Sequence, residues 1–343
     1  MGEQNPKQRL LNVLHQEVAD RPPVVCIGGM MNAAIVDVMN TTGHTLPDAH
    51  FDENLMALLA QDVARYTGFE NIAVPFCMTV EAELLGSEID YGSLACEPKI
   101  SKEAFSSVGN VSFPEFKGLP DTCRANTVIK AVRKLKDKRL DDPVIASITG
   151  PFTTAASWID PITFIKEMRT NGLGAHRVLE HVTEVLVEFA SELVRNGADV
   201  IALGDPTATG EILGPSHFKN FALPYLNELI DRIHKLGAPV IVHICGDIKP
   251  IEKQIMNIRG DAISTDAMVN LKALKEAYPD LTTMGNLSTY LLEFGNPEKI
   301  TQVTRRLLHD GIDIISPACG LSTSTTLSNI NALTGTVKKK SKK

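Results

Sequence analysis

The feature of this sequence that most constrains its fold is a regular alternation of short apolar runs with amphipathic segments. Eight runs rich in Val, Ile and Ala are bounded by Gly, Pro or Asp, which is typical of buried strands. The runs cover 24–29, 71–77, 143–150, 199–206, 240–246, 262–266, 281–287 and 312–317. Nearly all of them are followed by a segment with apolar residues at helical spacing. Eight such strand–helix units predict a (β/α)8 TIM barrel.

A doubly wound open sheet is the structural alternative to the barrel. That fold would need a glycine-rich phosphate fingerprint after an early strand, and Gly28-Gly29 lacks both the later glycines and the acidic residue. The length of 343 residues is usual for a barrel with insertions. We therefore predict one barrel domain with an N-terminal helical extension (1–23), an insertion or lid after strand two (78–118) and a lysine-rich tail (338–343).

Composition limits the compartment and the partners. The net charge of −7 includes five tail lysines, so the body of the chain is acidic and a nucleic-acid partner is not expected. No run approaches the roughly 18 apolar residues of a membrane span, and the first residues lack the apolar region of a secretory signal. The six cysteines are too scattered for a disulfide framework. These properties predict a cytoplasmic protein without a membrane span.

Three potential metal ligands stand at the ends of two predicted strands. His243 and Cys245 are two residues apart, so a strand turns both side chains to the same face. Cys319 closes the eighth run and precedes a glycine, as Cys245 does. The carboxyl ends of all barrel strands meet at one mouth. One imidazole and two thiolates around Zn2+ leave a coordination position open, as in catalytic zinc sites. We predict that these three residues bind zinc.

Three further polar residues end strands at the same predicted mouth. Asp266, after the sixth strand, is either a fourth zinc ligand that substrate displaces or a partner that orients His243. Asp205, after the fourth strand, either orients a ligand or caps a turn. Asn286, in the seventh strand, either hydrogen-bonds the substrate or holds the turn at the strand end. The sequence leaves each of these pairs of roles open.

The predicted ligand set favours one kind of chemistry. Electron-rich thiolates make zinc a weak activator of water but a good holder of a substrate thiol. Binding lowers the pKa of that thiol, while its sulfur remains nucleophilic. Alkylation of a sulfur atom is therefore predicted in preference to hydrolysis.

Several segments carry a resemblance to a known family. They are His243-x-Cys245-Gly246 and the segments 148–153, 204–208, 284–287 and 317–320. Together they resemble the methylcobamide:coenzyme M methyltransferases of methanogenic archaea, which belong to the uroporphyrinogen decarboxylase-type barrels. The similarity runs over nearly the whole chain.

The resemblance has specific implications for cofactors, partners and residues. It implies zinc at His243, Cys245 and Cys319, a methylated corrinoid (methylcobamide) protein as methyl donor, and coenzyme M as acceptor, in methanogenesis from methylated compounds. The family's acidic residue after strand six is usually glutamate. Asp266 is shorter, which puts a direct bond to zinc in doubt.

Three alternative functions are kept beside this one. A related corrinoid-dependent enzyme would use another thiol or tetrahydrofolate as the acceptor. Uroporphyrinogen decarboxylase would need cations for its tetracarboxylated substrate, and residues 27–34 contain no arginine. A non-enzymatic scaffold would bind corrinoid or metal without turnover. An assay of thiol alkylation separates the last of these from the enzymes.

Overall fold

The core of the computed structural model is a curled sheet of seven parallel strands. The model describes residues 2–113, 118–119, 123–138 and 140–339. The strands, in the order in which they pair, are Ile72–Val74 (β1), Val144–Thr149 (β4), Val200–Gly204 (β5), Val240–Ile244 (β6), Ala262–Thr265 (β7), Thr283–Leu287 (β8) and Ile314–Pro317 (β9). Every neighbouring pair is parallel. The predicted TIM-barrel class is confirmed.

The first of the eight expected strands is not a regular strand. Val24 forms a single parallel bridge with Ile315 of β9, and its carbonyl accepts from the Glu70 amide, just before β1, at 2.8 Å. The segment thus lies in the gap between the last and first strands of the sheet. Gly28 and Gly29 have φ angles of +85° and +60°, which turn the chain away before a longer ladder can form.

Fifteen α-helices are found in the described part of the chain, and most of those after β4 follow a strand and pack on the outside of the sheet. They are Pro6–Leu14 (α1), Val36–Thr42 (α2), Glu53–Thr67 (α3), Val80–Leu84 (α4), Arg124–Asp137 (α5), Pro151–Trp158 (α6), Pro161–Thr170 (α7), Gly172–Arg195 (α8), Gly210–His217 (α9), Leu223–His234 (α10), Glu252–Ile255 (α11), Leu271–Ala277 (α12), Thr289–Phe294 (α13), Pro297–His309 (α14) and Leu327–Lys338 (α15). The sequence pattern does not reveal α6, because nearly all of its residues are buried and no polar face interrupts them. None of the helices in the described part of the chain has the length and apolarity needed to cross a membrane.

Helix α1 closes the amino-terminal end of the sheet. Leu10 and Leu14 belong to the same apolar cluster as the residues that fill the interior, such as Ile145 and Ile241. Arg9 is buried beside them and donates to Asp20 at 2.7 Å and Glu70 at 2.8 Å. The helical extension is therefore anchored by both apolar packing and paired charges. The interior of the barrel can then be reached only from the carboxyl ends of the strands.

The insertion after β1 lies over those carboxyl ends. It contains α4, the antiparallel hairpin Glu88–Asp90 (β2) with Lys99–Lys102 (β3), and a short 3-10 turn, Val108–Asn110. Its residues 114–117 lie outside the described part of the chain, as do residues 340–343 of the predicted lysine tail. Thr323, in the loop after β9, donates to the carbonyl of Ala95 at 3.0 Å. The insertion therefore touches the loops that surround the predicted site.

Candidate metal centre

The ends of β6 and β9 bring the three predicted ligands together. His243 lies within β6 and is completely buried, whereas Cys245 and Cys319 are half-buried at the loop ends. The Nε2 atom of His243 lies 3.0 Å from the Sγ atom of Cys245, and the two sulfurs are 3.3 Å apart. All three donor atoms lie within 4.8 Å of one another. Among the described residues, no other group of three or more His, Cys, Asp or Glu side chains lies close enough together to hold a metal ion.

The orientation of His243 is fixed by the neighbouring strand. Ser264 is its direct register partner on β7, and its buried Oγ lies 3.0 Å from the Nδ1 atom of His243. A hydrogen bond to one ring nitrogen fixes which way the ring faces and leaves the other nitrogen available as a ligand. The Nε2 atom of His243 therefore faces the two sulfurs.

The donor atoms fit a tetrahedral ion of the size of zinc. Zinc bonds of about 2.3 Å to sulfur and 2.0–2.1 Å to nitrogen place neighbouring donors roughly 3.5–3.8 Å apart. The observed separations of 3.0 and 3.3 Å are a few tenths of an ångström shorter. Small rotations of two half-buried side chains are enough to open that space. The set of one imidazole and two thiols is also one that zinc prefers.

The two thiols are coupled by the contact between their sulfurs. The hydrogen bond from Cys245, together with His243, lowers the pKa of Cys319, although burial opposes this shift. The same hydrogen bond to Cys319, and then burial, raises the pKa of Cys245. A lowered pKa at one of two adjacent thiols favours binding of a cation, and a bound metal would displace the protons of both thiols.

Asp266 lies beside the cluster but not in it. It follows β7 and is half-buried, and its Oδ1 atom accepts from the Met268 amide at 3.3 Å. Its carboxylate is not part of the group of donors within 4.8 Å, yet its negative charge raises the pKa of Cys245. Direct ligation by Asp266 therefore stays a prediction.

Asn286 is engaged with the loop that carries Asp266. Its Nδ2 atom donates to the carbonyls of Asp266 and Val269, both at 2.8 Å. Of the two roles that the sequence leaves open, these contacts favour holding a turn, but the turn belongs to β7 and not to the strand of Asn286 itself.

Asp205 accepts hydrogen bonds from the buried first residues of α6. It is completely buried, and its Oδ1 atom accepts from the Thr153 amide at 2.7 Å and the Thr153 hydroxyl at 2.6 Å. Its Oδ2 atom accepts from the Phe152 amide at 3.2 Å. Burial raises the pKa of Asp205 to about 6, against the lowering effect of these bonds. The contacts favour the capping role, at the start of α6 and not at the turn after β5.

Glu97, in the insertion, is a residue near the centre that the sequence analysis did not identify. Its Oε1 atom accepts from the Nδ2 atom of buried Asn32 at 3.0 Å, and that amide also contacts the carbonyls of Gly29 and Phe76. Burial, with a contribution from the charge on Cys319, raises the pKa of Glu97 to about 7. The surrounding sequence is irregular, so no periodic signal indicates that this carboxylate faces the metal centre.

Comparison with known proteins identifies the family of this chain. The model of the family described as uroporphyrinogen decarboxylase (URO-D) matches residues 5–340. The chain belongs to the URO-D family. It is 31% identical to the methylcobamide:CoM methyltransferase MtbA of Methanosarcina acetivorans, over 97% of both chains. It is 30% identical to the methylcobamide:CoM methyltransferase MtaA of Methanosarcina barkeri, again over 97% of both. A solved methyltransferase from Methanosarcina mazei superposes with a TM-score of 0.91, at 28% identity and over 98% of both chains.

Proposed function

We infer that this protein is a methylcobamide:coenzyme M methyltransferase, which moves a methyl group from a methylated corrinoid to the thiol of coenzyme M. The observation that carries this conclusion is the His243, Cys245 and Cys319 cluster at the end of a barrel. A second support is that the chain is similar over nearly its whole length to enzymes of this name. The corrinoid is expected on a partner protein.

We propose zinc as the metal and His243, Cys245 and Cys319 as its ligands. Bound there, zinc would lower the pKa of an incoming thiol and hold its sulfur as a nucleophile. Ser264 keeps the imidazole in its ligating orientation through the 3.0 Å contact with Nδ1. Because the donor set has three members, a fourth position is left for the substrate sulfur.

The remaining side chains support direct transfer of the methyl group. Cys245 and Cys319 would be occupied as ligands, which removes them as independent nucleophiles. Asp266 would form a methyl ester, a poor intermediate beside a sulfur nucleophile. In one step, the substrate sulfur bonds to the methyl carbon, the cobalt–carbon bond breaks, and its electron pair stays on cobalt as Co(I). Holding the reactants in line can remove roughly 7–11 kcal/mol of the barrier in well-oriented systems.

The proposed function is tested by methyl transfer from free methylcobalamin to a panel of acceptors. Under anaerobic conditions, the zinc-loaded protein is expected to convert methylcobalamin to cob(I)alamin with coenzyme M, as followed by absorbance. Other small thiols and tetrahydrofolate are the comparison acceptors. Faster transfer to one of these would assign the protein to the related enzymes with another acceptor, and no transfer to any acceptor would contradict the proposal.

Thiol binding is expected to release a proton. A free thiol is mostly protonated near pH 7, but it must be a thiolate to bind a metal. Calorimetric titration of the zinc-loaded protein with coenzyme M, in buffers of different ionisation enthalpy, should show release of about one proton. The zinc-free protein is the control. An observed enthalpy that does not depend on the buffer would argue against a metal-bound thiolate.

A further inference from the structure

The loop 266–270, which follows β7, has open space on both sides. Its residues Ala267 and Asn270 are exposed, and Met268 is 63% exposed. A cavity of about 640 Å³ separates one side of the loop from α14. A second cavity, of about 370 Å³, lies between its other side and the turn that contains Lys249. Within the loop, Val269 packs against the hydrophobic core, while Ala267, Met268 and Asn270 project into open space.

The hydrogen bonds of the loop come mainly from within it. The amides of Met268 and Val269 donate to the side chain and the carbonyl of Asp266, respectively. Asn270 caps the next helix, α12. Asn286, on a different strand, also contacts this loop. Its Nδ2 atom donates to two loop carbonyls, those of Asp266 and Val269, each at 2.8 Å. Asn286 thus joins the loop to β8.

The Asp266 carboxylate is at the edge of the metal centre. Only its Oδ1 atom has a hydrogen-bond partner among the described residues, and that partner is the Met268 amide of the same loop. Thr265 is the register partner of Ile244, so Asp266 and Cys245 follow paired residues at the ends of neighbouring strands, although the carboxylate lies outside the ligand cluster. A movement of the loop toward Cys245 would make this carboxylate a competitor for the position left for the substrate sulfur.

We propose that Asn286 is a positioning residue that holds the Asp266 carboxylate away from the fourth metal position, so that the thiol can occupy it. This proposal rests on the proposed function. Asn286 acts through the main chain of the loop and does not touch the substrate. When the two carbonyls are released, the open space on both sides lets the loop shift, and the carboxylate then competes with the thiol.

Kinetics of the Asn286→Ala variant test this assignment. The KM for coenzyme M is expected to rise about tenfold, with kcat within about threefold of the wild type, because the competing carboxylate is displaced before chemistry. Adding Asp266→Ala should abolish that rise, since no competitor remains. Met268→Gly, which loosens the same loop at an exposed side chain, should raise KM in the same direction. Unchanged KM in Asn286→Ala, or simple additivity in the double variant, would overturn the proposal.

A matched control exists elsewhere in the chain. Asn329 also donates through its Nδ2 atom to two carbonyls, those of Leu292 and Gly295, at 2.8 and 3.1 Å. Asn329→Ala removes the same chemistry away from the metal centre and should leave the KM unchanged. An equal rise in this control would show that loss of such a bridge acts only through general stability, and would also overturn the assignment.

A spectroscopic measurement separates this proposal from the proposed function. In the Co2+-substituted protein without thiol, the visible absorption bands report the ligand set. Asn286→Ala should change these bands, and the change should be absent when Asp266 is also replaced by Ala. This readout needs no methyl transfer, so failure of the activity assay with the expected spectra would reject the function alone. Identical spectra for wild type and Asn286→Ala would reject the positioning role.

Discussion

Replacing Cys245 and Cys319 together by serine is expected to abolish zinc binding and methyl transfer while the barrel stays folded. The two sulfurs lie 3.3 Å apart and supply two of the three donor atoms. A serine hydroxyl stays protonated at neutral pH and is a weak ligand, so most of the binding energy is lost. Metal analysis by plasma emission should give about one zinc per chain for the wild type and less than about one tenth for the variant.

Cys96 and Cys123 provide the matched pair for this experiment. One is exposed and the other half-buried, and neither belongs to the cluster. Changing both to serine should leave the zinc content unchanged. Circular dichroism of the two double variants checks that the fold is retained. Full zinc occupancy in the Cys245→Ser, Cys319→Ser protein would show that the metal, if bound, has other ligands.

Replacing Asp205 by alanine is expected to cost about 3 kcal/mol of unfolding free energy. The carboxylate is completely buried and accepts three hydrogen bonds, from two backbone amides and one hydroxyl at the start of α6. Without it, these donors are buried without an acceptor, and each such loss is costly. Denaturant unfolding near neutral pH, followed by far-ultraviolet circular dichroism, measures the change.

Asp52 is the exposed counterpart of Asp205. It caps α3 by accepting from the Asn54 amide at 2.7 Å and the Leu55 amide at 2.9 Å, in contact with water. Asp52→Ala should cost only about 1 kcal/mol, because water replaces the lost acceptor. Equal losses for the two variants would mean that Asp205 is not needed to satisfy buried donors, and a ligand-orienting role would then regain support.

The barrel and the convergence of His243, Cys245 and Cys319 could be predicted from local signals and one rule of barrel geometry. The run 240–246 is β-branched and apolar and ends at a glycine, so the strand, its end and the shared direction of His243 and Cys245 follow from a period of two. The prediction that Cys319 lies beside them needs one further rule, which is that the carboxyl ends of barrel strands converge.

One of the misses has a local cause, and the others depend on contacts between residues that are distant in the chain. The ladder at Val24 is short because the glycines that follow turn the backbone. The side chain of Glu97 is held in place by Asn32, which lies 65 residues earlier. The amide of Asn286 serves a loop 17 to 20 residues before it. Hydrophobic periodicity carries no information about such polar contacts.

Because α1 closes the amino-terminal end, the barrel interior is open only at the carboxyl ends of the strands. Leu10 and Leu14 pack into the closed end, and Arg9 anchors the helix through Asp20 and Glu70. Both substrates of the proposed reaction would therefore have to use the same opening, at the carboxyl ends of the strands. A corrinoid protein docked over that opening would require the small thiol to enter first, and the methylated product would leave only after that protein withdraws. Under the proposed function, the closed end of the barrel would thus set the order of binding and release.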